Sequence, residues 1–167
     1  MIKLEKPDID VESIITDCTA NLTKQPILTH INASKTTIVS KSEKYNELAE
    51  KGQLGTLETH TMIEGGATKD DMVWLYDNKF VADGGRKYYD KIKAIPKYSK
   101  CPFCGVGIVS TLDHYLPKTK YPTYALTPVN LIACCADCNK NKKSEISETR
   151  NNEFIHPYYD DFNDEVW

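Results

Sequence analysis

Two Cys-x-x-Cys pairs limit what this chain can fold into more than any other feature. The first pair is Cys101 and Cys104, and the second is Cys135 and Cys138. Four thiolates form the ligand set of a closed, tetrahedral structural zinc site. A single pair would also suit redox chemistry, but two pairs in one short segment favour zinc. Cys134 offers a Cys-x-x-x-Cys spacing to Cys138, so the choice of Cys135 over Cys134 is a preference that rests on the matching spacing.

The class of protein follows from length and composition. The chain has 167 residues, of which 40% are hydrophobic and 27% are charged, as in ordinary folded domains. It contains no apolar run of about 18 residues that would span a membrane. The N-terminus lacks the basic and apolar regions of a secretory signal. We therefore expect a cytoplasmic protein, in which cysteines bind metal more often than they form disulfides.

The net charge of −3 conceals a strongly basic segment. Residues 86–143 carry 11 Lys/Arg and 3 Asp/Glu. Residues 1–85 carry 9 Lys/Arg and 14 Asp/Glu, and residues 144–167 carry one Arg and seven acids. A basic segment in an otherwise acidic chain is typical of a phosphate-binding face. The segment also contains both cysteine pairs.

Apolar periodicity predicts a mostly helical N-terminal part. Asp10 is a candidate N-cap for the first helix, Pro26 can open the second, and Pro96 ends the last. Gly84 and Gly85 would end the fourth by supplying a left-handed conformation, and residues 52–68 are expected to form a loop. The predicted helices cover residues 11–22, 26–31, 36–51, 69–81 and 86–95.

The segment between the cysteine pairs predicts a strand, a loop, a second strand and a helix. Residues 108–112 are β-branched and strand-like, and Asp113-His114 would end that strand. A second strand is expected within residues 127–134 and a helix over residues 137–144. The predicted fold class is therefore α+β, in which a mostly helical N-terminal part precedes a ββα module with a four-cysteine zinc site.

This module resembles the HNH, or ββα-metal, endonucleases in their zinc-bound form. The resemblance covers about residues 98–145 and rests on the motifs CPFC, LDH, PVNL and CADCNKNK, in that order. It implies that His114 is the general base, Asp113 a metal ligand and Asn130 a brace for the loop that carries the histidine. Asn139 would be the second metal ligand, with Asn141 as the alternative. The third family position is often His, so this chain would be an H-N-N variant.

The residue types suit phosphodiester hydrolysis. Histidine supplies a base of near-neutral pKa, and a divalent cation stabilises the charge on the reacting phosphate. Carboxylate and carboxamide oxygens favour Mg²⁺ or Mn²⁺ over softer metals. Lysines within and after the motif would hold the phosphate backbone. These candidates are Lys118, Lys120, Lys140, Lys142 and Lys143.

The sequence therefore predicts a metal-dependent endonuclease that acts on DNA, and leaves open a non-catalytic zinc module that binds nucleic acid or protein. Three regions are expected. Residues 1–97 form a helical scaffold or docking surface, residues 98–145 the nuclease module, and residues 146–167 an acidic, aromatic tail. The helical N-terminal part, LDHYLPK and FIHPYYDDF together show a looser resemblance to the nuclease of Septu-type anti-phage systems, which implies an ATPase partner encoded nearby. Self-association is left open.

Overall fold

A computed structural model describes residues 2–142 and 155–160, and over these residues the fold is α+β. Four helices precede a two-stranded sheet, and a fifth helix follows it. Among the helices in this part of the chain, none is both long enough and apolar enough to cross a membrane. The helices are α1 (Val11–Thr19), α2 (Ile27–Glu50), α3 (Lys69–Leu75), α4 (Arg86–Lys93) and α5 (Ala136–Lys142).

The first helix begins as the sequence predicts. The Asp10 carboxylate accepts hydrogen bonds from the main-chain N–H groups of Glu12 (3.3 Å) and Ser13 (2.8 Å). These bonds satisfy N–H groups that have no partner within the helix. The predicted apolar stripe of α1 is buried, including Cys18, whose thiol pKa is raised to about 12 by burial.

The second helix is a single element of 24 residues, so the two segments predicted to be helical, residues 26–31 and 36–51, are joined in one continuous helix. The apolar pattern breaks between Ile31 and Ile38, but Ser34 continues the buried face. Its hydroxyl accepts a hydrogen bond from the main-chain N–H of Ala67 at 3.0 Å, so the buried polar group is satisfied. A small residue is required there because the neighbouring loop approaches closely.

The segment 69–85 is helical, but its end differs from the prediction. Residues Tyr76–Phe80 continue α3 as a π-helical turn. Gly84 and Gly85 do not adopt the predicted left-handed conformation. Other glycines among the described residues do adopt it. Gly84 and Gly85 are needed for close packing instead: a Cβ on Gly84 would lie 2.2 Å from the Asp17 carbonyl oxygen of α1.

Strands β1 (Thr111–His114) and β2 (Leu131–Cys134) form the sheet. They pair antiparallel, with Asp113 opposite Ile132 and His114 opposite Leu131. The first strand therefore lies further along the chain than the predicted residues 108–112 and includes Asp113 and His114. A 3₁₀ turn, Pro128–Asn130, precedes β2, so the second strand begins after Asn130.

The helices and the ββα module share one hydrophobic core. Buried residues of α1 to α4 pack in the same cluster as Leu112, Leu126 and Leu131. The ring of Tyr76 contacts the ring of His114, with centroids 4.5 Å apart. The N-terminal helices therefore form one wall of the module, although the predicted boundary at residue 97 stays a prediction.

Residues 155–160 of the C-terminal region fold back onto the module. The Pro157 carbonyl accepts from the main-chain N–H of Leu4 at 2.8 Å, and the Tyr158 hydroxyl donates to the Leu131 carbonyl at 2.9 Å. His156 is buried against the ring of Tyr115, with centroids 4.2 Å apart. The predicted tail aromatics Phe154, Phe162 and Trp167 lie outside the described residues.

We predict that His156 makes stability depend on pH. Burial lowers the pKa of its imidazole to about 3, and Lys142 and Lys6 act in the same direction. An unfolded histidine titrates near pH 6.5, so below about pH 6.5 the unfolded state binds a proton that the folded state does not. Stability should fall as pH decreases, by about 2 kcal/mol for this residue between about pH 7 and pH 5.

The measurement compares the wild type with His156→Phe by urea unfolding at both pH values. The variant keeps an aromatic ring but has no titrating group there. Zinc release and the titration of the other histidines change the stability of both proteins alike, so they cancel in the comparison. The variant's stability should fall less, and equal falls would show that His156 is not held in its neutral form.

Candidate functional site

The four predicted zinc cysteines come together. The Sγ atoms of Cys101, Cys104, Cys135 and Cys138 all lie within 4.8 Å of one another. The Cys104 and Cys135 sulfurs are 3.9 Å apart, and a Zn–S bond of about 2.3 Å implies tetrahedral S–S edges of about 3.8 Å. The arrangement is a possible structural zinc site.

The local fold of the first cysteine loop favours a thiolate. The main-chain N–H of Gly107 donates to the Cys104 sulfur at 3.2 Å. This N–H and that of Val106 lower the pKa of the Cys104 thiol to about 6. A Cβ on Gly107 would lie 2.8 Å from the Cys135 sulfur, so a glycine lets the loop approach the second pair.

Cys134 lies outside the cluster. It is the last residue of β2 and is fully buried, and burial raises the pKa of its thiol well above the ordinary value. The pKa of the Cys138 thiol within the cluster is raised as well, so it is position, and not pKa, that separates Cys134 from the four clustered sulfurs. The structure therefore agrees with the preference for Cys135.

The polar residues of β1 surround the ammonium of Lys142. Its Nζ donates to Asp113 Oδ2 at 2.7 Å, to the His114 carbonyl at 2.6 Å and to the Tyr115 carbonyl at 3.2 Å. Lys142 and Asp113 are both buried. Burial raises the pKa of the Asp113 carboxyl above its ordinary value, although the Lys142 ammonium acts in the opposite direction.

Lys142 is predicted to bind phosphate, but in the structure described its ammonium is buried against Asp113 instead. A buried carboxylate needs a cation, and Lys142, in the last turn of α5, reaches it. Asp113 is one of only three acids within residues 86–143. A lone acid on a buried strand is the sequence signal that could have identified its ion pair with a lysine.

The other lysines predicted to bind phosphate differ in their exposure and contacts. Lys120 and Lys140 are exposed. Lys118 is half-buried, forms an ion pair with Asp77 and lies over the Tyr76 ring, with its Nζ 4.2 Å from the ring centroid. Lys143 lies outside the described residues.

His114 is buried and held by its ring nitrogen. Nε2 lies 2.9 Å from the Ala125 carbonyl oxygen, which only accepts, so Nε2 carries the proton and Nδ1 has the lone pair in the neutral ring. Burial lowers the pKa of this histidine to about 3, and Lys118 and Lys142 add to the effect. The expectation of a near-neutral pKa was therefore wrong for this closed site.

Asn130 braces the loop that follows His114. Its Oδ1 accepts from the main-chain N–H of Leu116 at 2.7 Å, and its Nδ2 donates to the carbonyls of Leu116 (3.1 Å) and Tyr124 (3.0 Å). The Tyr45 hydroxyl of α2 donates to the same Oδ1 at 3.1 Å. The side chain is fully buried, and its geometry agrees with a bracing role.

Two residues of this network were missed as functional candidates. In the sequence, Tyr45 is one of the apolar residues of the segment 36–51, and His156 precedes Pro157 in the acidic tail. The His156 Nε2 lies 3.2 Å from the Tyr45 hydroxyl, so the two extend the Asn130 bonds to α2 and the C-terminal segment. No local pattern marks either residue, because the contacts join distant parts of the chain.

The second predicted metal ligand, Asn139, is partly exposed on α5, and its alternative Asn141 is fully exposed. Among the described residues, the cysteine set is the only cluster of three or more His, Cys, Asp or Glu side chains at ligand distance. The carboxylate and carbonyl oxygens around Lys142 are hard donors that suit Mg²⁺. The Lys142 ammonium is hydrogen-bonded to these oxygens, so a metal could bind them only by displacing it.

Comparisons with known proteins identify one similar protein and no family. No protein-family model and no solved structure matches the chain. Protein ea31 of Escherichia phage lambda is 31% identical over an alignment 170 residues long, which includes 96% of this chain and 57% of that protein. This chain therefore spans little more than half the length of its phage relative, whose name states no activity.

We predict that Cys135→Ala abolishes zinc binding and Cys134→Ala does not. The first variant removes a ligand of the cluster, and the second removes a buried thiol beside it. Structural zinc sites contribute about 10 kcal/mol or more to folding, so Cys135→Ala should also lose most of its folded structure. Metal content by plasma mass spectrometry and circular dichroism test this. The reverse result would assign Cys134 as the ligand.

We predict that Lys142→Met destabilises the chain by about 3 kcal/mol, because it leaves the Asp113 carboxylate buried and unpaired. Magnesium should then stabilise Lys142→Met more than it stabilises the wild type, because the oxygens around the vacated position accept a cation. Thermal unfolding with and without magnesium measures both effects.

The control is the double variant Asp113→Asn/Lys142→Met, which lacks the carboxylate and should show no extra response to magnesium. If magnesium affects the wild type and Lys142→Met equally, these oxygens do not form a site for a divalent cation.

Proposed function

We propose that the chain is a metal-dependent endonuclease of the HNH type that hydrolyses phosphodiester bonds of DNA. One observation carries the proposal. The module places Asp113 and His114 together at the end of β1 and holds the loop after them with Asn130. The possible zinc site would join the segment before β1 to the start of α5.

His114 is the proposed general base. The hydrogen bond from Nε2 to the Ala125 carbonyl fixes the ring, so Nδ1 is the atom that would accept a proton from the attacking water. A pKa near 3 keeps this nitrogen unprotonated at neutral pH but makes it a weak base. A phosphate group close to the ring would raise the pKa, because negative charge favours the imidazolium.

The site also needs positive charge to stabilise the phosphate in the transition state. A Mg²⁺ or Mn²⁺ ion held by Asp113 and Asn139 would supply this charge. In the structure described, the Lys142 ammonium is the cation at Asp113. The proposed reaction therefore requires the lysine to yield its place on Asp113, and released Lys142 would join Lys120 and Lys140 as a cation available to DNA.

A second function is favoured by the closed state of the site. Asp113, His114 and Lys142 are all buried and hydrogen-bonded to one another or to main-chain carbonyls. A module with this closed arrangement could serve only to bind nucleic acid or a protein. It would bind DNA without cutting it and would be indifferent to the identity of His114.

The wider role rests on resemblance alone. The likeness to Septu-type nucleases supports an ATPase partner and a part in defence against phage, within the cytoplasm. We propose such a partner on the acidic helical surface, which carries the excess of acids in residues 1–85. Co-purification with the product of a neighbouring gene would identify it.

We predict that the zinc-bound protein nicks supercoiled plasmid when Mg²⁺ or Mn²⁺ is added, and that His114→Ala lowers the rate at least about 100-fold, the usual contribution of a general base. His30→Gln is the matched control, because His30 lies on α2 and pairs with Asp71. Gel densitometry over time gives the rates.

Both variants must retain zinc and their helical signal. Cleavage by His114→Ala at the wild-type rate would remove His114 from the mechanism. DNA binding without cleavage in either metal would support the non-catalytic module instead.

A further inference from the structure

The ribbon that leads into the zinc site presents an unusual surface. We define the Tyr98 surface as Lys97, Tyr98, Lys100, Val106 and Ile108. Tyr98 is 91% exposed, Val106 75% and Ile108 60%. Large apolar side chains with so little cover point to a contact that forms with another molecule.

These residues lie on one short ribbon. Lys100 pairs with Ile108 in an antiparallel bridge, and the Val109 N–H donates to the Ser99 carbonyl at 2.8 Å. The Lys100 Nζ donates to the Val106 carbonyl at 3.2 Å. Cys101 follows directly, so zinc would fix the ribbon at its base.

The backbone holds Tyr98 in a costly conformation. Its φ is 55°, and the φ of Ser99 is 54°, so two consecutive non-glycine residues are left-handed. This region is unfavourable for a residue with a Cβ. The ring gains no burial that would offset the cost. Strained residues of this kind cluster at functional sites, where the conformation presents a side chain to a ligand.

The charge around the ring selects an anion. Residues 94–112 contain Lys97 and Lys100 and no acidic residue. Lys97 is exposed and Lys100 is half-exposed on either side of Tyr98. A planar ring between two cations suits a strand of nucleic acid, in which unstacked bases alternate with phosphates.

The shape of the surface favours nucleic acid over an acidic peptide. Peptide anchors insert into pockets or grooves, whereas side chains exposed by 60% to 91% project outward. A base needs only an accessible ring face on which to stack. A duplex keeps its bases stacked within the helix, so an unpaired strand is required.

We propose that the Tyr98 surface binds single-stranded nucleic acid, with a base stacked on Tyr98 and adjacent phosphates on Lys97 and Lys100. This proposal deepens the proposed nuclease function and rests on it for the biological substrate, which would then be DNA or RNA with an unpaired segment. Lysines already predicted to contact phosphate lie elsewhere in the module, so this surface adds a contact to the bases.

Binding is tested with the zinc-loaded full chain without added magnesium or manganese. The probe is a fluorescein-labelled oligothymidylate of about 20 nucleotides, longer than the site of most single-strand modules. Fluorescence anisotropy should show a loss of affinity of about tenfold for Tyr98→Ala. Tyr98→Phe keeps the ring and should bind as the wild type does.

The double variant Lys97→Gln/Lys100→Gln tests the phosphate contacts. Two lost contacts should reduce the slope of log affinity against log salt by about 1.4. All three variants change exposed or half-exposed side chains, and circular dichroism and zinc content confirm their folds. A labelled poly-glutamate peptide and a blunt duplex are run in parallel.

Equal affinity of Tyr98→Ala and Tyr98→Phe for the oligothymidylate would overturn the proposal. Tyr98-dependent binding of the acidic peptide, and not of the oligothymidylate, would assign the surface to a protein partner. The proposed catalysis is judged separately by plasmid nicking. Tyr98-dependent binding without plasmid nicking would refute the nuclease function and support the binding surface. Plasmid nicking, with binding unaffected by Tyr98→Ala, would support the nuclease function and refute the binding surface.

Discussion

The arrangement of the module depends on four thiol groups that meet from two distant parts of the chain. The first pair lies within the ribbon after α4, whereas in the second pair Cys135 follows β2 and Cys138 lies in the first turn of α5. A metal bound there would fix the end of the sheet at which Thr111 of β1 pairs with Cys134 of β2, and a two-stranded sheet is too small to be stable by itself. With this end fixed, β1 and β2 pair in a single register and α5 begins directly beside the cluster. The position of Asp113 beneath Lys142 follows from that register.

The second constraint is the burial of polar groups around β1. Asp113, His114 and Asn130 are buried, and each is hydrogen-bonded. Their partners come from α2, α5 and the loop of residues 115–125. Leaving any of these groups unpaired would be costly. The helical part and the module are therefore joined by polar contacts as well as by the shared apolar core.

The sequence predicts the parts of this structure that depend on local patterns. Ligand spacing identifies the cysteine set, and periodicity with capping residues finds α1, α3 and α4. Prediction from the sequence fails where contacts between residues distant in the chain determine the structure. The buried Ser34 hides the continuity of α2, because its partner lies on the loop at Ala67. The pairing of Lys142 with Asp113 joins residues 29 positions apart, so its lysine looks like any other in a basic run. The low pKa of His114 likewise comes from tertiary burial that composition does not report.

The bond between Tyr45 and Asn130 spans 85 positions, and that between Tyr45 and His156 spans 111. Contacts of such separation close large loops and form late in folding. During synthesis on a ribosome, the brace of the loop after His114 would remain incomplete until residues 155–160 had emerged. The growing chain would therefore contain all four zinc cysteines and Lys142 before His156 could reach Tyr45. Full assembly of the polar network thus waits for the synthesis of residues 155–160.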